Sequence, residues 1–208
     1  MEHETSETNA EGRRETSPNL AEIAEWAAKP APGGAPVDGW NPPDCGAIDM
    51  RIRADGTWFY LGTPIGRMPL VRLFSTVLRK DEDGKTYLVT PVEKIEIEVE
   101  DAPFLAVEMH VDNRGPDQVL TFRTNVGDVI EAGPEHALRF EQEEGSDGLK
   151  PYLHVRGRLE ALVTRALMYD LVELGETLMV DGREVFAVRS GGTVFSVMPT
   201  DELERSVT

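Results

Sequence analysis

The 208-residue chain carries 38 acidic and 21 basic residues, a formal net charge of −17. That field repels a phosphate backbone and an anionic bilayer surface, so neither nucleic acid nor membrane is expected as a partner. A single cysteine, Cys45, excludes an intramolecular disulfide and a multi-cysteine metal site. With no secretory pattern at the start and no run near the ~20 apolar residues of a membrane span, a cytoplasmic protein is expected.

Residues 1–17, rich in Glu and without an aromatic residue, read as a disordered acidic tail. Asn19 is placed to cap a helix over Leu20–Lys29, with Leu20, Ile23, Ala24 and Ala27 as its apolar stripe. A Pro/Gly linker leads to the rigid segment Trp40-Asn41-Pro42-Pro43. Ile48–Arg53 and Thr57–Leu61 around Asp55-Gly56 predict a hairpin. Leu70, Leu73, Phe74 and Val77 follow i, i+3, i+4, i+7, which predicts a helix over Met68–Lys80, with Pro69 in its first turn. Tyr87–Thr90 is the next strand.

From Pro91 the pattern is strand after strand. Ile95, Ile97 and Val99 alternate with charged residues, as do Leu105, Val107, Met109 and Val111. Further strands are predicted near 118–124, 128–131, 137–141 and 151–155, then a helix over Arg158–Leu174 and a hairpin of Glu184–Arg189 with Thr193–Val197. Gly66-Arg67-Met68 and Gly157-Arg158-Leu159 form a weak internal echo, each set before an apolar helix and pointing to two sheet-plus-helix units. The expected fold is α+β, with units over residues 18–90 and 91–208. The second is a curved antiparallel sheet or partial barrel closed by the helix from Arg158.

No phosphate-loop lysine motif, dinucleotide fingerprint or nucleophile elbow is present. The histidines His3, His110, His136 and His154 have no metal-ligand spacing and read as surface residues. Glu93 and Asp101 share parity with the buried face of their strand but stand ~26 Å apart at the usual rise. That is too far for a glycosidase-type pair, which needs ~5–9.5 Å. Each is expected to hold a backbone or cationic partner. No catalytic residue, metal or cofactor is assigned.

The junction between the units is the expected binding region. Arg67, Arg72 and Arg79 approach it from the predicted helix, and Thr90, Glu93 and Lys94 from the connecting segment. Trp58 and Tyr60 are placed to stack a planar ring, while Arg and Lys hold phosphate or carboxylate. The plainer alternative is that Arg72 and Arg79 form a solvated face paired with acidic residues.

The runs Asp55-Gly56-Thr57-Trp58-Phe59-Tyr60, Thr63-Pro64-Ile65, then Arg67, Leu70-Val71-Arg72-Leu73-Phe74-Ser75 and Leu88-Val89-Thr90-Pro91-Val92-Glu93-Lys94 resemble the bacterial domain-of-unknown-function family DUF1285, as does Val99-Glu100-Asp101-Ala102-Pro103-Phe104. The similarity runs from about Trp40 to the C-terminus. It implies a duplicated core, a C-terminal part like pleckstrin-homology barrels, and an inter-domain groove for a nucleotide-like ligand with a role in signalling. Carried onto this chain, the ligand-binding set is Trp58, Tyr60, Arg67, Arg72, Thr90, Glu93 and Lys94. A small-molecule binder is therefore the leading expectation. A protein-interaction scaffold with a protein partner is the alternative, and an enzyme acting on a phosphorylated small molecule with Glu93 as base is third.

Overall fold

The computed structural model describes residues 20–28, 35–143, 145 and 148–199; the predicted acidic tail lies outside them. Helix α1 spans Leu20–Ala27 and buries Ile23 completely. After a 3-10 turn at Val37–Gly39, the first sheet is built from β1 (Asp44–Ile52), β2 (Trp58–Tyr60), β3 (Thr63–Pro64), β4 (Leu78–Lys80), β5 (Thr86–Val89) and β6 (Lys94–Val99). The predicted hairpin is β1–β2, with Ile52 opposite Trp58 and Met50 opposite Tyr60. Its turn is held by the Asp55 carboxylate, which accepts the Thr57 N–H at 2.9 Å.

Helix α2 covers Met68–Ser75 and stops there. The sequence pattern carried a helix through Lys80, but Leu78–Lys80 is β4. The reason is local. Ser75 and Thr76 donate their hydroxyls back to the carbonyls of Arg72 and Leu73, both at 2.7 Å, and the β-branched Val77 follows. Leu70, Leu73 and Phe74 of the stripe lie in α2, whereas Val77 is buried outside it, so there the stripe marks burial and not helix. Arg79 consequently sits on a strand and not on the polar face of α2.

The second sheet comprises β7 (Phe104–Asp112), β8 (Val119–Thr124), β9 (Val129–Glu131), β10 (Leu138–Gln142), β11 (Leu149–Arg156) and β12 (Leu159–Val163). Residues 159–163 were expected as the start of a helix. In β12, Leu159, Ala161 and Val163 are buried and alternate with half-buried Glu160 and Leu162, a strand period of two. Helix α3 begins only at Arg165 and ends at Glu173. A third, antiparallel sheet of β13 (Glu176–Val180), β14 (Arg183–Ser190) and β15 (Thr193–Pro199) completes the described chain; β13 was not foreseen.

The two six-stranded sheets have the same topology. Their orders are β3-β2-β1-β6-β5-β4 and β10-β11-β12-β7-β8-β9. In each, one three-stranded meander walks from the centre to an edge, and a second walks from the other edge back. The first and last strands then pair in parallel at the centre, β1 with β6 and β7 with β12. Strand β6, which sequence reading gave to the second unit, is thus central to the first sheet. The duplication is real, but the Gly-Arg echo does not mark it. Gly66 lies between β3 and β4, whereas Gly157 lies between β11 and β12 and leads into a strand.

One apolar cluster runs through both units, including Ile52, Trp58, Phe74 and Ile95 from the first and Phe104, Phe122 and Leu153 from the second. Among the described residues, no helix is long and apolar enough to cross a membrane.

Candidate functional site

Because side chains alternate along a strand, β4 splits its residues between two faces at the edge of the first sheet. Arg79 points to one face, Leu78 and Lys80 to the other. A cavity opens on each side where the second unit abuts this edge.

The larger cavity measures about 850 Å³ and is walled by Asp38, Trp40, Asn41, Arg79, Asp81, Glu82, Asp83, Gly157 and Arg158. Arg79 is almost fully used by its own fold. Its Nε and Nη2 donate to the Asp81 carboxylate at 2.6 and 3.2 Å, and Nη1 donates to the carbonyls of Val37 and Trp40, both at 2.7 Å. The guanidinium thereby fixes the segment that carries Asp38 and Trp40. Lys94 donates to Asp81 at 3.1 Å, and its ammonium lies 4.2 Å from the centre of the Tyr87 ring. The hydrogen bond from Arg79, and then Lys94, holds the Asp81 carboxyl below its ordinary range. Asp83 accepts the Tyr87 hydroxyl at 2.6 Å, which lowers the carboxyl and pushes the phenol up. Arg158 enters from the second unit and pairs with Glu82 at 2.7 Å.

The smaller cavity, about 180 Å³, is walled by Lys80, Thr86, Val99 and Asp101 of the first half, by Arg139, Glu141, Tyr152 and Glu160 of the second, and again by Arg158. Asp101 accepts from Lys150 Nζ at 2.8 Å and from the Tyr152 hydroxyl at 2.7 Å, the partnered role expected of a strand-end acid. Burial first, and then Asp101, push the Tyr152 phenol above its ordinary range. Arg139 stacks 4.1 Å over the Tyr152 ring and donates to Glu160 at 2.5 and 2.6 Å and to Glu141.

The residues expected from sequence stand elsewhere. Trp58 is 1% exposed and belongs to the core. Tyr60 is half-buried on the same face of the sheet, since it pairs with Met50 as Trp58 pairs with Ile52. Ile52 pairs with Val99, so Lys94, five residues back along β6, faces the opposite side. The sheet itself therefore separates the two rings from the Lys94 cation. Thr90 is buried and holds a turn, its hydroxyl accepting the Glu93 N–H at 3.2 Å; Glu93 is half-buried in that turn. Arg67, just before α2, and Arg72 on α2 are exposed. None of the seven lines either inter-unit cavity. Sequence reasoning missed Asp38, Glu82 and Arg158; the rigid Trp40 segment was the available signal.

His110 is exposed, as parity predicted, and lies 3.2 Å from Asp112. His136 and His154 stack with centroids 5.6 Å apart. No cluster of metal-ligating side chains occurs among the described residues.

Two sheets of identical connectivity around a shared core define a duplicated α+β protein dominated by strand. Two family models match it, "Domain of unknown function (DUF1285), N-terminal domain" over residues 35–102 and "Protein of unknown function (DUF1285), C-terminal domain" over residues 103–197. The chain belongs to the DUF1285 family, and the division at 102/103 falls between β6 and β7, where the topology repeats. A DUF1285 family protein from Silicibacter pomeroyi DSS-3 has a similar structure, with 47% identity, a TM-score of 0.81, and coverage of 91% of this chain and 100% of that one. A second, from Shewanella baltica OS155, aligns over 60% of this chain and 91% of its own at 29% identity and a TM-score of 0.47. No curated protein matches the chain.

Proposed function

We propose that this protein binds a small molecule in the larger cavity between its two units. The observation that carries the reading is a concavity of about 850 Å³ whose walls come from both units and include one aromatic residue, Trp40. That size lies within the range of roughly 300–1,000 Å³ typical of ligand sites. Arg79 is committed to Asp81 and two carbonyls, while Asp38, Glu82 and Asp83 add negative charge. The wall therefore favours a cationic or uncharged hydrogen-bonding group against Trp40. A nucleotide-like ligand would rest its base on Trp40 and keep its phosphate beside Arg158. A cytoplasmic signalling role, and a pleckstrin-homology-like C-terminal unit closed by α3, belong to the same proposal. The second is supported by the contact of β15 with β10, which sets the two C-terminal sheets together.

A thermal-shift screen with nucleotides, phosphorylated metabolites and organic amines tests the reading. A ligand of this cavity raises the Tm of the wild type and raises it less in Trp40→Ala and Arg158→Ala. A ligand indifferent to both substitutions would place the site elsewhere.

A protein-interaction role is the second reading. It is favoured by Tyr169 and Val172 on α3 and Met179 on β13, which are 55%, 39% and 65% exposed. A stoichiometric protein partner lost on Tyr169→Ser and Met179→Ser would support it.

A further inference from the structure

The smaller cavity carries a different chemistry from the larger one. We infer that it is a subsite for a compact oxyanion, the size of a phosphate or carboxylate group, held by Lys80, Thr86 and Arg158.

The argument starts from register. Lys80 and Thr86 are direct cross-strand partners on β4 and β5, so their side chains stand side by side on one face. Both line the cavity. Thr86 is 6% exposed, and its hydroxyl has no hydrogen-bond partner among the described residues. The hydroxyl oxygen itself is not fully buried, so it is open to the cavity and can donate to a group bound there. The Lys80 ammonium likewise has no ion-pair partner among the described residues.

Charge accounting decides the sign of the ligand. Three carboxylates also line the cavity. Asp101 is paired with Lys150, but Glu141 and Glu160 share the single cation Arg139, which leaves one negative charge over for Lys80 and Arg158 to offset. What remains is Lys80 and Arg158. Among the described residues the one ion pair of Arg158 is with Glu82, whose side chain is 87% exposed, so the pair is weak and readily exchanged. With Arg158 turned from Glu82 into the cavity, Lys80 and Arg158 outweigh that leftover charge by one, and with the hydroxyl donor around about 180 Å³ they match a single oxyanion; the Arg fork and Lys point charge suit phosphate or carboxylate oxygens. The volume admits one such group and little more.

Both sites draw on Arg158, so they are told apart by the residues each has alone, Lys80 and Thr86 here and Trp40 there. Phosphate binding with no ligand for the larger cavity leaves the subsite standing, and the reverse result leaves the larger cavity standing.

The test titrates the full chain with inorganic phosphate, sulfate and acetate at constant ionic strength, with chloride as the control, and reads heat of binding and Tm. Phosphate or sulfate binding above acetate marks a tetrahedral oxyanion, and acetate binding alone marks a carboxylate. Lys80→Met weakens the response about tenfold or more, the scale of one charge-assisted hydrogen bond. Thr86→Val weakens it severalfold, and Lys80→Arg retains it even if another variant folds poorly. Arg72→Ala, on the exposed face of α2, leaves it unchanged. Responses to all three oxyanions no larger than to chloride, or equal in wild type and Lys80→Met, would overturn the assignment.

Discussion

Arg156 in the second unit donates from Nη2 to the carbonyl oxygen of Ser75, at the end of α2 in the first, at 2.6 Å. The same guanidinium lies 5.1 Å from the centre of the Phe104 ring and 3.4 Å from the Asp128 carboxylate. It is a strut between the units, placed where the helix leaves its last carbonyls unpaired.

Removing that strut should cost stability. Arg156→Ala is expected to lower unfolding stability by about 1.5–3 kcal/mol, the usual worth of a hydrogen bond to a charged group. Arg156→Lys should recover part of it, because the charge stays while the fork is lost. Urea unfolding followed by fluorescence reads both, and an unchanged midpoint in Arg156→Ala would contradict the strut.

Gly56 lies at another contact between the units, and glycine is required there twice over. Its φ is +77°, and an added Cβ would lie 2.8 Å from Asn125 Nδ2 and 2.9 Å from Leu105 Cδ1. Gly84 has nearly the same φ, +82°, with nothing within 4 Å of the built position. Both alanine variants bear the left-handed backbone cost of about 1–2 kcal/mol, but only Gly56→Ala also pushes against the second unit. The Tm of Gly56→Ala should therefore fall below that of Gly84→Ala. Equal values would mean that the 53–57 turn yields freely.

The pH dependence follows from Asp81. Its folded carboxyl is held below the ordinary 3.8, first by the hydrogen bond from Arg79. A depressed carboxyl contributes stability above its unfolded value, and that contribution is lost as pH falls through the folded value. Acid should thus loosen the 37–40 segment, whose carbonyls Arg79 holds. Melting measured from neutral pH down to below pH 3.8 should show a shallower fall in Asp81→Asn than in wild type, from a lower starting Tm. Parallel curves would exclude the linkage.

Tyr87 should ionise late because its phenol donates to Asp83, and Tyr152 because it is buried and also donates to Asp101. In an alkaline absorbance titration, Tyr87→Phe and Tyr152→Phe should each remove amplitude above the ordinary tyrosine range near about pH 10. A loss confined to lower pH would contradict the Tyr87 hydrogen bond and the burial of the Tyr152 phenol.

Much of the first sheet was readable because its strands obey one period. Met50, Ile52, Trp58, Ile95 and Ile97 are all buried where alternation puts them. The errors came where two periods overlap. Leu70 to Val77 satisfies a helical stripe although the chain turns into β4 just beyond it. Leu159 to Val163 was read as helix because the apolar run continues into α3. Membership of β6 was illegible for another reason: its parallel partner β1 pairs with it as Asp44 with Lys94 and Ile52 with Val99, and so distant a pairing leaves no local mark. The cavities share that difficulty. Arg79 and Lys80 are adjacent in sequence yet serve opposite faces, and Arg158 reaches both from another unit.

The central claim, a ligand in the larger inter-unit cavity, is tested most directly by hydrogen–deuterium exchange. Amide exchange of the full chain is compared with and without the strongest stabiliser found by thermal shift. The structure predicts slowed exchange confined to residues 37–41, 79–84 and 156–159. Protection elsewhere with these segments unchanged, or no stabilising compound in any of the three chemical classes, would contradict it.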